Sequence, residues 1–242
     1  MEPPSHFGWS SAGVTDTGRV RSVNEDALGL RPEIGLWVVA DGMGGHEAGD
    51  IASAAVVQAL SNVTFPPDLN RFIETVTARL EDVNRDLVSS QGAGRMGSTA
   101  VVLLAHGAQC ACLWVGDSRA YRLRNNVMHA MTQDHSYVEE LVQSGQLAPE
   151  DAQNHPRANV ITRAIGAAET VEVDVGLYDL QDGDRYLLCS DGLYREVSEQ
   201  ELFYHMREDS CDVVVDTLLA LALQRGARDN VSLALVDFVE SR

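Results

Sequence analysis

Three aspartates stand far apart in this 242-residue chain but share one kind of surrounding sequence. Asp41 and Asp191 each follow an apolar, strand-like run and precede Gly, and Asp229 precedes Asn at the start of another such run. Carboxylates at strand ends can converge at one edge of a sheet, and their oxygens are the ligands that hard divalent cations prefer. The pattern therefore predicts a cation site built from Asp41, Asp191 and Asp229.

A guanidinium and a carboxylate stand five residues apart in the segment 21–26. The planar fork of Arg21 suits bidentate binding of a phosphate group better than a Lys ammonium would. The segment is strand-like, so we expect Arg21 and Asp26 to meet only if the chain bends between them. An isolated pair of this kind is most often a surface ion pair, but the other acidic strand ends favour a functional interpretation.

A glycine-rich turn follows Asp41. Gly42 is the first of three glycines in this turn, and such glycines let the backbone turn tightly and approach a ligand closely. His46 closes the turn, and imidazole is the side chain suited to donate a proton near neutral pH. A loop His is usually only exposed, but the position of His46 after a predicted metal ligand makes it a candidate general acid.

Asp117 follows Gly116 at a hairpin-like junction between two apolar strands. Because an Asp after Gly is often only a turn residue, the sequence leaves a structural and a functional interpretation of Asp117 equally open. Small residues at 97–100 open the preceding strand. We expect them to be a packing feature and not a phosphate cradle, because their spacing does not fit a P-loop and no Lys follows.

The elements that must position these residues follow from hydrophobic periodicity. Strand patterns occur at residues 9–16, 26–31, 36–40, 98–105, 110–115, 119–124, 127–131, 171–178, 185–190 and 231–238, and helical spacing occurs at 47–61, 68–90 and 211–225. The strands between 98 and 131 follow one another through short turns, which disfavours parallel winding. We therefore predict an α+β fold in which two packed antiparallel β-sheets are flanked by helices, an α-β-β-α sandwich, in a single domain spanning 1–242.

Residues 132–170 interrupt this pattern. Asp134 to Ser136 could cap a short helix, Pro149 opens another candidate, and the polar composition indicates an excursion from the sandwich. Such an excursion beside a site would be a lid or a specificity element. A surface insertion without function is the alternative interpretation.

The charge of the chain limits its partners. With 36 Asp and Glu against 18 Lys and Arg, the net charge of -18 argues against nucleic acid or an anionic membrane as a partner. It does not argue against a phosphorylated substrate, because a bound cation reverses the local field. The first residues show no signal peptide, and no apolar run approaches the roughly 18 residues of a spanning helix. We expect a soluble, cytoplasmic monomer.

Five motifs stand in a definite order along the chain. They are Arg-Ser-Val-Asn-Glu-Asp at 21–26, Asp-Gly-Met-Gly-Gly-His at 41–46, Gly-Asp-Ser-Arg at 116–119, Ser-Asp-Gly at 190–192 and Asp-Asn at 229–230. In these motifs the chain resembles the metal-dependent protein serine/threonine phosphatases of type 2C, in their bacterial form. The similarity runs from Gly13 to about Phe238 and agrees with the two-sheet fold inferred above. Ser98, where many relatives carry Thr, is a small departure.

The resemblance implies a role for each candidate residue. Two Mn²⁺ or Mg²⁺ ions would be held by Asp41, the Gly42 carbonyl, Asp191 and Asp229, and Asp26 would join them through water. Asp117 with Asp191 would form a third, weaker site. Arg21 would bind the phosphate, and His46 would protonate the leaving oxygen. The reaction would be hydrolysis of phosphoserine and phosphothreonine by a metal-activated water, without a covalent intermediate. Residues 132–170 would be the variable flap beside the catalytic cleft.

The resemblance also implies partners. Stand-alone bacterial members of the family, including type VI secretion phosphatases, act opposite a Ser/Thr kinase. The expected substrates are therefore phosphorylated proteins in the pathway of such a kinase.

Two alternatives stay open at the level of the sequence. Cys189 and Arg195 have the Cys-x5-Arg spacing of cysteine-dependent tyrosine phosphatases, in which a thiolate attacks phosphorus. Asp191 argues against this mechanism, because it would place a negative charge inside the phosphate-binding loop. The second alternative is a pseudophosphatase, a non-catalytic module that binds divalent ions or phosphorylated partners. The four cysteines show no zinc spacing and are expected to be buried free thiols.

Overall fold

The computed structural model describes residues 6–44, 48–90, 96–207 and 210–241. Its strands are β1 (His6–Asp16), β2 (Asp26–Arg31), β3 (Leu36–Gly44), β4 (Met96–Ser98), β5 (Ala100–His106), β6 (Gln109–Val115), β7 (Arg119–Arg124), β8 (Val127–Ala130), β9 (Asp174–Asp179), β10 (Arg185–Cys189) and β11 (Val231–Ser241). Its α-helices are α1 (Ala48–Ser61), α2 (Leu69–Ser90), α3 (Tyr137–Gln143), α4 (Asp191–Tyr194), α5 (Glu199–His205) and α6 (Cys211–Gln224). Short 3-10 helices lie at Pro32–Ile34 and Pro149–Asn154.

The strands form two antiparallel sheets. The first has the order β1-β11-β10-β7-β8, and the second has the order β2-β3-β5-β6-β9, with β4 paired to the end of β3. Helices α1 and α2 pack on the second sheet, α4, α5 and α6 pack on the first, and a third apolar cluster fills the space between the sheets. The predicted α-β-β-α arrangement is confirmed.

Burial on both faces explains why the central strands are apolar at every position. In β3, Val38 and Ala40 pack against the helices of the second sheet. Trp37 and Val39 instead face the first sheet, because side chains alternate along a strand. The Trp37 ring meets Phe238 of β11 edge to face, with 6.1 Å between ring centroids. This contact joins the two sheets through the middle layer.

Two local expectations were wrong. Residues 21–25, expected to be strand-like, form a loop between β1 and β2. The junction that contains Asp117 is not a hairpin, because β6 and β7 lie in different sheets. At the start of this crossover, Gly116 has a φ of 103°, and a Cβ there would lie 2.6 Å from Thr99 Cγ2. Glycine is therefore required where the chain passes from one sheet to the other.

Some element boundaries also differ from the sequence pattern. β3 continues past Ala40 to Gly44, because β4 pairs with its last residues. β9 begins at Asp174 and not near 171. α5 was not predicted, although its signal is present in the sequence, since Ser198 and Glu201 form a capping box at its start.

The excursion contains both elements that its sequence indicated. The Ser136 side chain accepts a hydrogen bond from Glu139 N at 3.3 Å and caps α3. A 3-10 helix begins at Pro149. These short elements are connected by turns, so residues 132–170 differ in character from the strands around them.

Two expectations from composition can be compared with the structure. The four cysteines, Cys110, Cys112, Cys189 and Cys211, are buried and unpaired, which confirms the prediction of free thiols. Within the described ranges, no helix combines the length and the apolar character that crossing a bilayer requires.

Candidate active site

Five aspartates from separate parts of the chain come together between the sheets. Asp41 lies in β3, Asp26 opens β2, Asp191 opens α4 two positions after β10 ends, Asp229 precedes β11, and Asp117 lies between β6 and β7. Asp26 stands directly opposite Asp41 in the register of β2 and β3. The carboxyls of Asp41 and Asp191 share a hydrogen bond, and the charges of the other three aspartates act on Asp41. The structure thus groups the three strand-end carboxylates with both further candidates.

The backbone of Asp41 is held by the neighbouring chain segment. Its N–H donates to Thr99 Oγ1 at 3.0 Å, and its carbonyl accepts from Thr99 N at 2.8 Å and from Ser98 Oγ at 3.1 Å. The Thr99 hydroxyl also bonds that of Ser118 in the crossover, at 2.7 Å. The small residues at 97–100 therefore position the peptide of Asp41 and tie it to the crossover, a role that sequence reasoning missed.

Gly42 lies where two stretches of backbone approach closely. Its N–H donates to Glu25 O at 3.0 Å, and a Cβ at this position would lie 2.0 Å from Gly49 O and 2.5 Å from Glu25 O. Ser53 of α1 donates to the same Glu25 carbonyl at 2.5 Å. Only glycine fits this position, so the peptide after Asp41 can lie against the start of α1.

Burial and mutual repulsion disfavour ionised carboxylates in this cluster. Burial raises the pKa of Asp26 to about 7, although Ser190 Oγ donates to Asp26 Oδ2 at 2.7 Å. Burial and the charge of Asp26 raise the pKa of Asp41 well above its usual value. Burial is also the main reason that the pKa of Asp191 is raised. A cation among these groups would relieve the repulsion and favour their charged forms.

Asp117 is the most enclosed of the five, with 3% of its surface exposed. Burial, followed by the charge of Asp191, raises the pKa of Asp117 to about 7. The Tyr194 hydroxyl donates to the Asp117 carbonyl at 3.0 Å. Oδ1 of Asp117 has no hydrogen-bond partner in the described part of the chain. A buried carboxylate oxygen without a partner is costly, so this atom is a candidate cation ligand.

Two arginines reach the cluster. Arg21 Nη2 lies 2.8 Å from Asp229 Oδ2, across 208 positions of sequence. Arg195 Nη2 lies 3.0 Å from Asp191 Oδ2 and 3.7 Å from Asp117 Oδ2. The sequence pattern singled out Arg21 together with the carboxylate five residues later, but the loop at 21–25 turns Arg21 towards Asp229.

A cavity of about 630 Å³ opens beside the cluster. Asp117, Asp229, Arg21 and Arg195 contribute to its lining. The excursion supplies a second set of lining residues: Asp134, Ser136, Val138, Glu139, Ala152, Gln153, Asn154, Ala158 and Asn159. The segment that the sequence set apart therefore borders the candidate site.

The base of the excursion is attached to the crossover. Arg119 forms a two-point ion pair with Asp134, at 2.9 and 2.8 Å, and its guanidinium lies 3.9 Å from the centroid of the Tyr194 ring. His135 Nδ1 accepts from Gly116 N at 3.0 Å, and His135 N donates to Gly116 O at 2.9 Å. These contacts hold the start of the excursion next to the carboxylates.

The donor set fits hard divalent cations, because every candidate ligand offers oxygen. Among the described residues, no three His, Cys, Asp or Glu side chains are arranged so that they could hold a metal ion. Arg21 and Arg195 engage Asp229 and Asp191 in ion pairs. The cluster still favours a cation. Carboxylate groups can rotate towards a bound ion, whereas their joint burial without a cation, with one Asp117 oxygen unpartnered, is unfavourable.

His46 lies outside the described residues, two positions after β3 ends at Gly44. Its candidacy as general acid stays a prediction from the sequence.

The protein in chelator is expected to lose stability as the pH rises from about 4 to about 7. Asp26 and Asp117 have a folded-state pKa of about 7, whereas an unfolded Asp titrates near 3.9. In this window the folded chain binds more protons than the unfolded chain, so the free energy of unfolding falls with rising pH. Asp117→Asn should therefore melt at a higher temperature than the parent, by a margin that grows up to about pH 7.

The matched control for this prediction is Asp216→Asn, on the exposed face of α6. It should change the melting temperature only slightly, because Asp216 is exposed. An equal margin for Asp117→Asn at about pH 5 and about pH 8 would contradict the raised pKa of Asp117.

Comparison with known proteins agrees with this geometry. The family profile described as Protein phosphatase 2C matches residues 17–225. The serine/threonine phosphatase stp of Listeria innocua is 38% identical over 235 residues, which cover 92% of this chain and 93% of the relative.

Solved structures show the same fold. PppA, described as a key regulatory component of T6SS in Pseudomonas aeruginosa, matches with a TM-score of 0.90 and 41% identity over 98% of this chain and 100% of its own. The catalytic domain of the serine/threonine phosphatase PstP, solved in complex with two manganese ions, matches with a TM-score of 0.87 and 32% identity over 96% and 99% of the two chains.

Proposed function

This chain belongs to the protein phosphatase 2C family and is a serine/threonine phosphatase, and on that premise we propose that its aspartate cluster is the catalytic metal centre. The observation that carries the proposal is the gathering of five carboxylates, drawn from both sheets, beside a cavity of about 630 Å³. Such a cluster is unfavourable alone and favourable around divalent cations. The reaction is hydrolysis of phosphoserine and phosphothreonine without a covalent intermediate.

Two Mn²⁺ or Mg²⁺ ions are assigned to Asp41, the Gly42 carbonyl, Asp191 and Asp229, with Asp26 joined through water. Two divalent ions there would lower the pKa of a water molecule and offset negative charge on the phosphoryl oxygens. The residues around them have a positioning role, since Thr99 holds the Asp41 peptide and Ser190 orients Asp26. The manganese complex of PstP supports the assignment, because that relative binds two such ions.

Arg21 is proposed to bind the phosphate. It lies on the loop before β2, it lines the cavity, and 49% of its side chain is exposed, so it can turn towards a ligand. The hydrogen bond with Asp229 raises the pKa of Arg21, so the guanidinium stays charged at any working pH. Its planar fork would donate two hydrogen bonds to phosphoryl oxygens and hold them as the bond to the leaving oxygen breaks.

Asp117 and Asp191 are proposed as a separate and weaker cation site. Both belong to the buried part of the cluster, and the charge of Asp191 contributes to the raised pKa of Asp117.

His46 is proposed as the general acid, because a serine or threonine alkoxide leaves readily only when it is protonated.

The whole chain, 1–242, is proposed to act as one domain with 132–170 as a flap. Pairing of β1 with β11 along their full lengths supports this, because these strands come from the two ends of the sequence. The flap lines the cavity next to the carboxylates, so it would contact the protein segment around the phosphorylated residue.

Phosphorylated proteins from the pathway of a Ser/Thr kinase are the proposed substrates, and a cytoplasmic monomer in bacterial signalling is the proposed acting form. The family relatives are named as serine/threonine phosphatases, which supports this substrate class. The net charge of -18 argues against nucleic acid and anionic membranes as partners. Phosphoproteomic comparison of a deletion strain with its parent would identify the substrates.

The thiol mechanism receives no support from the site. Cys189 has 0% of its surface exposed, and burial raises the pKa of its thiol to about 12. A thiolate nucleophile is therefore disfavoured at neutral pH. Arg195, which would have to bind phosphate in that mechanism, is engaged by Asp191.

Removal of metal ions is expected to stop turnover. EDTA should abolish hydrolysis of a phosphothreonine peptide, and Mn²⁺ or Mg²⁺ should restore it, because a cluster of carboxylates alone repels a phosphate. Mn²⁺ should also raise the melting temperature, since an ion that binds only the folded chain stabilises it. Hydrolysis that continues unchanged in EDTA would refute the metal centre.

A further inference from the structure

The Arg195 guanidinium lies between the two carboxylates assigned to the weaker cation site. Its Nη2 is 3.0 Å from Asp191 Oδ2 and 3.7 Å from Asp117 Oδ2, and Nη1 donates to Asn159 Oδ1 in the flap. Its side chain is 32% exposed, so a large part of it is enclosed by the protein. A positive charge of the chain itself therefore stands between the two carboxylates of the proposed third site.

Arg195 differs from Arg21 in the way the chain holds it. Arg21 lies on a loop, and 49% of its side chain is exposed. Arg195 follows α4 directly, its N–H donates to Asp191 O at 3.0 Å, and it stands four residues after Asp191, the spacing at which side chains on one helical face meet. The same turn carries Tyr194, whose hydroxyl donates to the Asp117 carbonyl. Local geometry therefore places the Arg195 guanidinium at these two carboxylates.

The charge of Arg195 and the charge of a divalent ion at this pair compete. Asp117 is 3% exposed, so interactions between charges beside it are weakly screened by solvent. A guanidinium and a divalent ion that both contact Asp117 and Asp191 would repel each other strongly at this separation. One of them must leave before the other can bind fully.

We propose that Arg195 is the resident cation of the Asp117–Asp191 pair, and that a third divalent ion binds only by displacing it. This inference rests on the two-ion centre proposed above. It would make the third site weaker than the two-ion centre, since binding there must first break the ion pairs of Arg195. Displacement also breaks the hydrogen bond to Asn159, so occupation of the third site is linked to the flap.

The test compares metal binding by five forms of the full chain: the parent, three single variants and one double variant. Arg195→Met removes the charge and keeps a long side chain, whereas Arg195→Lys keeps the charge. Arg228→Met is the matched control, because Arg228 lines the same cavity but pairs with Glu196 and not with the cluster. Mn²⁺ bound per chain is measured by equilibrium dialysis up to millimolar free Mn²⁺, and circular dichroism melting establishes that each variant is folded.

The parent, Arg195→Lys and Arg228→Met should bind two ions tightly and a third only at the highest concentrations. Arg195→Met should bind the third ion at least about tenfold more tightly, as expected when a nearby like charge is removed from a poorly screened site. Adding Asp117→Ala to Arg195→Met should abolish the third ion and leave two. Equal third-ion affinity in the parent and Arg195→Met would overturn the role of Arg195.

A second measurement uses the unmodified protein, so it does not depend on the folding of a variant. The side-chain ¹⁵N–¹H resonances of arginine are followed during titration with diamagnetic Mg²⁺, and that of Arg195 is assigned by its absence in Arg195→Lys. The Arg195 signal should shift slightly as the first two ions bind, because Asp191 belongs to both sites, and it should shift most when the third ion binds at Asp117. A signal that is unchanged while the third ion binds refutes displacement, whereas failure of the parent to bind even two ions refutes the metal centre itself.

Discussion

Asp191→Asn is expected to abolish hydrolysis of phosphothreonine peptides, whereas Cys189→Ser should leave it near the parent level. Asp191 shares a hydrogen bond with Asp41 and pairs with Arg195. It is assigned both to the two-ion centre and to the weaker third site, so the loss of its charge would affect every proposed ion. Asn keeps the size of the side chain but removes its charge. A loss of about 10²–10³-fold or more is the scale expected when a preorganised electrostatic group is removed.

The comparison with Cys189→Ser makes this result specific. Cys189 stands two residues before Asp191, but it packs in the apolar cluster under α4, α5 and α6. Turnover at saturating Mn²⁺, bound metal per chain and melting curves should be measured for both variants. Asp191→Asn should fold and bind fewer than two ions tightly, whereas Cys189→Ser should retain both. The opposite ranking of activities would establish the thiol mechanism.

His46→Ala is expected to reduce turnover of a phosphothreonine peptide by ~10²–10⁴-fold, the usual range of general-acid assistance. Turnover of p-nitrophenyl phosphate should fall far less. A threonine alkoxide is strongly basic and needs a proton as it leaves, whereas p-nitrophenolate is stable without one at neutral pH. The ratio of the two losses therefore isolates one proton transfer.

The control for this prediction is His129→Ala, on the exposed edge strand β8 of the first sheet. It should leave both substrates unaffected. Bound metal per chain should be unchanged in His46→Ala. Equal losses on both substrates would mean that His46 positions the phosphate or a water molecule and is not the acid.

The charge around the cavity explains how so acidic a chain can accept a phosphorylated protein. The chain carries a net charge of -18, yet Arg21, Arg119, Arg195 and Arg228 all line the cavity. Fields are local at physiological ionic strength, because the Debye length is only about 8 Å. Five carboxylates line the same cavity, Asp117, Asp134, Glu139, Glu196 and Asp229, so the arginines would attract a phosphate group only together with divalent cations bound at the cluster.

Most secondary structure was determined by the sequence alone, because the periodicity of side chains is a local property of helices and strands. In α2, for example, Phe72, Val76 and Leu80 recur at four-residue spacing, and all three are buried. The apolar run at 36–40 predicted a strand, and β3 occupies it as an interior strand of the second sheet that is covered on both faces. α5 was missed although its capping box is equally local.

The sequence also indicated which carboxylates to consider, because strand ends tend to meet at sheet edges. The ordered motifs then suggested a role for each residue through resemblance, including His46, whose surroundings the structure does not describe. Local patterns could not tell whether Asp117 was a turn residue. That depended on β6 and β7 entering different sheets, which takes the chain past the other carboxylates at this point.

Only the tertiary structure decided which groups act on one another. Arg21 pairs with Asp229 across 208 positions, and Thr99 holds the Asp41 peptide across 58. Such contacts depend on the order of strands in each sheet and on the packing of the two sheets, and neither leaves a periodic signal in the sequence. The Arg195 guanidinium shows the difference: its spacing from Asp191 is local, but its contact with Asp117 exists only because the crossover folds back against α4.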